Sequence, residues 1–390
     1  MGEVRHLLGF HMHQPPGNLK LLADTNEWEA RQIMLCYDRP LKYAWRYRDV
    51  ARFCVGFSGI LLEQFQDPEI ISRYSGIVNI PEMLEAYRNT PNIEIVGMGY
   101  YHPIFPLIPR EDWDEHIARG RQKVWEMFRR YPKIFWPPEM AFTMEMIPAL
   151  LRHGYEYVVI DSVHVKPKGP MGRQEIVYRT HIAEHDGARI TVIPRDRDLS
   201  NAQESGLDPG WFDGEIRKKT GGAHGPCLVT SWSDGENGGW FRQTDEAAGF
   251  WGYFFAPYME GVRSGHMAIR LTSIDEFVAE NPPTSVVEVQ TGAWNVGSTS
   301  GYDFSQWAGS PSQRKALEEI WQLSQTYHEM LRAFSRQPLG TQLSQAREYL
   351  LKAETSCYLF WGESWIPKLY EQTGNARRLL EEAAMMAKRT

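Results

Sequence analysis

The sequence predicts an α/β protein of barrel type, followed by a C-terminal helical bundle. Three observations predict it. Short apolar runs alternate with helical patterns, which argues for parallel strands joined by helices. Polar residues recur just behind those runs, where a β/α barrel carries its active site. Beyond residue 305 the apolar residues follow helical spacing alone.

"VRHLLGFHM" is the first strand candidate, and "RFCVGFSGILLEQF" reads as a strand running into a helix. "NIEIVGMGY" is the third. The helical stretch "MEMIPALLRHG", stopped at Gly154, introduces "GYEYVVIDS" as the fourth. "GARITVIPRD" and "GPCLVTSWSDGE" add two more. Between these last two, residues 195–225 are polar and rich in Gly and Asp, which predicts a long inserted loop over the site. In "SQRKALEEIWQLSQTYHEMLRAFSRQ", Leu317, Ile320, Trp321, Tyr327, Leu331 and Phe334 fall at helical spacing. "LSQAREYLLKAETSCYLFW" and "NARRLLEEAAMMAKR" continue in that manner. The expected division is a catalytic barrel over 1–305 and a helical unit over 306–390.

Composition narrows the function. A net charge of −7 lacks the basic footprint of a nucleic-acid binder. No run reaches membrane-spanning length, and "MGEVRHLLGF" is too short an apolar stretch for a secretion signal, so a soluble cytoplasmic protein is expected. The four cysteines lie far apart without a CxxC pair, which argues against a disulfide framework or a zinc ribbon. With 14 Trp, 18 Tyr and 17 Phe the chain is rich in flat apolar faces, which suit cores and also sugars. The oligomeric state is not readable.

Two carboxylates stand out. In "KIFWPPEMAF", Glu139 follows a double proline that fixes the backbone, so its position would need little ordering during reaction. It could equally cap the helix that begins near "TMEMIPALL". In "TSWSDGENGGW", Asp234 and Glu236 sit on a glycine-rich turn between Trp232 and Trp240. Asp-Gly is a common turn pair, but a solvated turn has little use for flanking tryptophans. Carboxylates from two loops of one barrel mouth are what glycoside cleavage requires. In "GFHMHQPPGN", strand alternation puts His11 and His13 on one side, for metal, substrate or packing.

The set "HMHQPP", "GYYHP", "FWPPEMAF", "SWSDGENGGW" and "ETSCYLFWG", in that order, resembles the five ordered sequence regions of glycoside hydrolase family 57. The resemblance runs from His11 to Trp361. It implies an incomplete (β/α)7 barrel whose following helices help close the active site, and retaining action on α-glycosidic bonds without metal or other cofactor. It places the nucleophile on Glu139 and the acid/base on Asp234, with Glu236 in support. The substrate-binding set it suggests is His11, His13, Gln14, Tyr101, His102, Trp136, Asp161, His164, Trp232, Glu236, Trp240 and Trp361. Tyr100 and Trp294 are further candidates for stacking on sugar, whereas Trp125 and Trp321 read as core. A protonated Asp234 beside an ionised Glu139 is expected, with the Asp234 pKa pushed up by neighbouring carboxylates and apolar walls.

The implied substrate is an oligo- or polysaccharide, foremost an α-1,4-glucan handled in amylase or 4-α-glucanotransferase fashion. α-Galactosidase and branching activities belong to the same family. The absence of any Tyr between Arg179 and Gly252 argues against branching. Asn237-Gly238 and Phe360-Trp361-Gly362-Glu363 depart from the family's usual residues and leave the substrate open. Two readings of other classes stand beside this one. The first is a metal-dependent carbohydrate deacetylase using His11, His13 and Asp161 or His164; the second is an inactive carbohydrate-binding homologue.

Overall fold

The structure, a computed structural model, describes residues 3–294, 303–334 and 340–387. Among the described residues it has eleven strands: β1 (Val4–Met12), β2 (Phe53–Phe57), β3 (Ile93–Val96), β4 (Ile134–Phe135), β5 (Tyr157–Asp161), β6 (Val165–Pro167), β7 (His181–His185), β8 (Ala188–Arg195), β9 (Cys227–Asp234), β10 (Ile269–Leu271) and β11 (Val286–Val289). β1 pairs in parallel with β9 along most of its length, with β10 at its start and with β2 at its end. β2 continues in parallel to β3.

The second sheet is linked to the first by a parallel bridge from Gly97 to Phe135. It runs β4–β5–β8 in parallel, and the Asp196 amide returns to β9 by donating to the Thr230 carbonyl at 2.8 Å. Outside these strands, β7 forms an antiparallel hairpin with β8. Asp186 and Gly187, both in the left-handed region, make its turn. β11 then pairs with β7 in parallel and with β6 antiparallel.

The period of two in β1 sorts its side chains between layers. Leu8, Phe10 and Met12 join the core formed with the surrounding helices, while Leu7 faces the inner cluster that contains Trp136 and Trp232. Gly9 lies on that inner side, where any Cβ would fall about 2.1 Å from the Trp232 ring, so the tryptophan needs a glycine opposite it. The same inner cluster extends into helices Pro311–Ala333, Gly340–Ala353 and Ile366–Ala387 through Leu317, Leu350 and Leu380. Asp112, at the start of helix Arg110–Phe128, also ties down these helices. Its carboxylate accepts from Ser324 at 2.6 Å and His328 at 2.8 Å and pairs with buried Arg347.

Two expectations are corrected. Residues 195–225 are not a long loop: they hold helices Arg197–Ser205 and Pro209–Thr220. Asp196 and Asp208 accept from the Leu199 and Trp211 amides, and Leu199, Leu207, Phe212 and Ile216 are buried, so capped amphipathic helices form within a polar composition. Trp321 is 48% exposed and Trp125 is half-buried, so neither is core. Among the described residues no helix is long and apolar enough to cross a membrane.

Candidate active site

The site is built where β1, β9 and the segment after β4 end. His11 and Asp234 are register partners across the β1–β9 pair, so their side chains leave the sheet on the same face. His11 Nδ1 lies 2.9 Å from Asp234 Oδ1, an ion-pair contact with angles outside hydrogen-bond geometry. Asn237 donates to the other Asp234 oxygen.

Glu139 follows Trp136-Pro137-Pro138 and holds φ at 56°, a left-handed conformation that costs a non-glycine residue about 1–2 kcal/mol. The segment 139–143 is fixed by an antiparallel partner. Phe142 and Gly292 exchange backbone hydrogen bonds, and the Trp294 amide donates to the Glu139 carbonyl at 3.0 Å. Trp294 Nε1 also donates to Glu139 Oε2 at 2.7 Å. The side chain therefore points to Trp294 and caps no helix; the following helical turn starts at Thr143 without a side-chain cap.

Five aromatic rings stack beneath these carboxylates. His13 lies on His102 at 3.9 Å, His102 on His11 at 5.6 Å, His11 on Trp136 at 5.3 Å and Trp136 on Trp232 at 5.1 Å, each pair within 22° of parallel. His102 Nδ1 is 3.8 Å from Glu139 Oε1 and 2.8 Å from Ser356 Oγ. Glu139 thus contacts one ring of the stack, and Asp234 contacts the next. Their side chains remain 16% and 14% exposed.

The electrostatics invert the expectation for Asp234. Burial works to raise its pKa, but the His11 cation outweighs burial and holds the carboxyl below its ordinary value. Burial pulls His11 down, yet Asp234 lifts it to about 9. The resting proton therefore belongs to His11, because the charged pair forms where a protonated acid was expected. Burial and the Asp234 charge push Glu139 up to about 7. Glu236 is buried and rises to about 8, although its Oε1 accepts from the His13 amide at 2.7 Å. Burial lowers His13 to about 3 and His102 well below its ordinary value, so both rings stay neutral.

The other expected residues divide. Gln14 approaches Glu236 at 3.4 Å and accepts from Asn18. Trp136 and Trp232 are fully enclosed, so they support the His11 ring from below and present no face to a sugar. Tyr101 is also fully buried; its hydroxyl donates to Glu348, and that of Tyr100 to Glu63, which makes both packing residues. Asp161 is buried against Arg195 at 3.0 Å, and His164 Nε2 bonds the Ala293 carbonyl oxygen at 2.9 Å. Both side chains are buried, Asp161 fully. Trp240 is half-buried against Tyr253, and Trp361 is 56% exposed beside Phe360. Trp294 is buried and serves as a donor to Glu139.

Some site residues have no sequence signal. Arg195 donates to the Trp232 carbonyl and lies 5.3 Å over the Trp294 ring, coupling β8 to the Glu139 segment. Glu204, on the helix after β8, is raised to about 7 by burial and by Asp234. Cys357 Sγ sits 3.4 Å from His13 Nε2, in helix Ser356–Phe360, whose first amide donates to the His102 carbonyl. The deacetylase reading asks for a ligand group from His11, His13, Asp161 and His164. Among the described residues no three His, Cys, Asp or Glu side chains are placed to hold a metal ion.

Comparison with known proteins supplies the context for this geometry. The sequence model of glycosyl hydrolase family 57 matches residues 30–290. Alpha-amylase 1 of Dictyoglomus thermophilum is 22% identical over 322 residues, covering 80% of this chain and 42% of its own length. The chain thus spans less than half of that relative. The crystal structure of 4-alpha-glucanotransferase from Thermococcus litoralis superposes with a TM-score of 0.69 at 20% identity, over 96% of this chain and 60% of that one. The branching enzyme of Pyrococcus horikoshii superposes at 0.73 and 15% identity, over 97% and 87%. These likenesses show a shared α/β fold of parallel sheets and helices.

Proposed function

The chain belongs to glycosyl hydrolase family 57, and from that premise we propose that it cleaves or transfers α-1,4-linked glucan by a two-step retaining displacement. The observation that carries this reading is the shared ring stack: Glu139 and Asp234 approach neighbouring rings, His102 and His11. The proposal requires the two carboxyls to stand about 5–5.5 Å apart, the spacing of a retaining pair.

Glu139, ionised, attacks the anomeric carbon, and the bond to the leaving oxygen breaks. That oxygen takes the pair's proton, which crosses from His11 Nδ1 to Asp234 as their 2.9 Å contact turns into hydrogen-bond alignment and passes on from the carboxyl. The products are a glycosyl ester on Glu139, a released sugar hydroxyl, and a pair holding one proton fewer. Water or a second sugar hydroxyl then attacks the ester carbon, gives its proton to the pair and frees Glu139. His11 supplies what a raised Asp234 pKa would otherwise supply, a proton held near the leaving oxygen at neutral pH. Trp294 fixes Glu139 so that no rotamer search precedes attack.

On this reading β1, β2, β3, β4, β5, β8 and β9 form the incomplete (β/α)7 barrel. Residues 1–305 carry the chemistry and the helices of 306–390 close it. His13, Glu236 and Gln14 bind the reacting sugar, and Trp240 and Trp361 line the approach. The amylase and glucanotransferase named among the relatives support a glucan substrate. The four free cysteines suit a reducing cytoplasm. Product analysis on maltooligosaccharides, amylose and nitrophenyl α-galactoside tests the reading. Smaller sugars alone indicate hydrolysis, and larger and smaller ones together indicate transfer. Turnover of the galactoside alone, or of none of the three, refutes it.

A further inference from the structure

Against the Glu139 segment lies a cavity of about 700 Å³, whose lining residues take no part in the displacement mechanism. Its wall is the ribbon that holds Glu139. Thr143 and Thr291 line it and bond to each other at 3.0 Å, one step from the Phe142–Gly292 bridge. Trp321, from helix Pro311–Ala333, also lines it. Its indole N–H is fixed on the Leu107 carbonyl at 2.8 Å, yet the side chain stays 48% exposed. Gln290, the Arg110–Glu145 ion pair, Lys168, Glu184 and Glu288 add polar and charged groups to the lining.

We propose that this groove is an accessory binding site for a segment of α-linked glucan, separate from the reacting pair; the choice of glucan rests on the function proposed above. A held indole offers a flat face to the C–H side of a pyranose ring. Around it, hydroxyl, amide, guanidinium and carboxylate groups match the alternating donors and acceptors of sugar hydroxyls. Cations and carboxylates stand together in the lining, which suits a neutral ligand better than a phosphate or a polyanion. An apolar peptide would cover these polar groups, and displace their water, without hydrogen-bonding to them. Because the groove and Glu139 share one ribbon, a chain bound there is held close to the reacting end of the enzyme and raises its local concentration.

The test uses the full chain carrying Glu139→Gln, titrated calorimetrically with maltoheptaose. Two classes of site are expected, and Trp321→Ala weakens one of them roughly tenfold, the size of one aromatic contact. Gln290→Ala, remote from the helix core, weakens the same class should Trp321→Ala unfold. In the active background, Trp321→Ala raises the KM for amylose and leaves maltotriose turnover unchanged. Parent-like stoichiometry and affinity in both folded variants overturn the groove, whatever the activity. Loss of the groove site in a protein that turns over no α-glucan upholds the groove and overturns the proposed reaction instead.

Discussion

His11 Nδ1 lies 2.9 Å from Asp234 Oδ1, and the two residues are register partners on adjacent parallel strands. The contact is therefore a product of sheet geometry, and it places the resting proton on the imidazole. Replacing His11 by Gln removes that proton. We expect kcat to fall by roughly 10²- to 10⁴-fold, the range for loss of a positioned acid. The basic limb of the kcat/KM profile, set near 9 by His11 in the parent, should then move. An unmoved limb would assign it elsewhere.

In the proposed displacement Glu139 must be ionised to attack, and its pKa stands at about 7. Activity should therefore fall as pH drops below about 7, giving a bell bounded by Glu139 on the acid side and His11 on the basic side. Initial rates with maltotriose from pH 5 to 10 check both limbs.

Trp294 donates to Glu139 Oε2 and so favours the carboxylate. In Trp294→Phe the acid limb should shift upward from about 7, with kcat reduced roughly tenfold, in keeping with about 1.5 kcal/mol for a hydrogen bond to a charge. A lower kcat with a fixed limb would reduce Trp294 to packing alone.

Arg195 and Asp161 form a pair that is 2% and 0% exposed. Arg195→Met leaves a buried carboxylate without its counter-charge, and should cost roughly 3–5 kcal/mol of stability. Chemical denaturation of the variant measures this, and an unchanged midpoint would contradict it.

Stability should also depend on pH in two windows. Burial lowers His6, His13 and His116 to about 3 from 6.5, so the unfolded chain takes up protons that the fold refuses. Stability is then lost as pH falls from 6.5 towards 3. Glu139 and Glu236 rise from 4.5 to about 7 and 8, so their contribution is present below 4.5 and lost as pH rises through those values. Calorimetric melting from pH 3 to 9 should place the highest Tm between about 4.5 and 6.5, below the pH range of best activity.

The residues proposed to carry chemistry are legible because their type and local punctuation are unusual. A double proline before Glu139, a glycine turn bearing Asp234 and Glu236, and His11-x-His13 at a strand end all mark themselves. What holds them in place was not legible. Arg195, Glu204, Cys357 and the donor role of Trp294 depend on partners brought together by sheet register and helix docking, often from distant parts of the chain. Composition also misled. Residues 197–220 are polar enough to read as loop, although caps at Asp196 and Asp208 and a thin apolar face make helices. β4 spans two residues, below the length at which any alternation can be seen. Trp136 and Trp232 stand in the expected substrate-binding set, but both are fully buried in the ring stack under His11.

The central claim is that Glu139 forms the covalent bond and Asp234 delivers the proton across one pocket. Incubation with 5-fluoro-α-glucosyl fluoride, followed by proteolysis and mass spectrometry, reads this directly. One hexosyl adduct on the peptide containing Glu139 is expected, and its release should slow in Asp234→Asn. An adduct on any other carboxylate would contradict it, as would turnover that persists in Glu139→Ala.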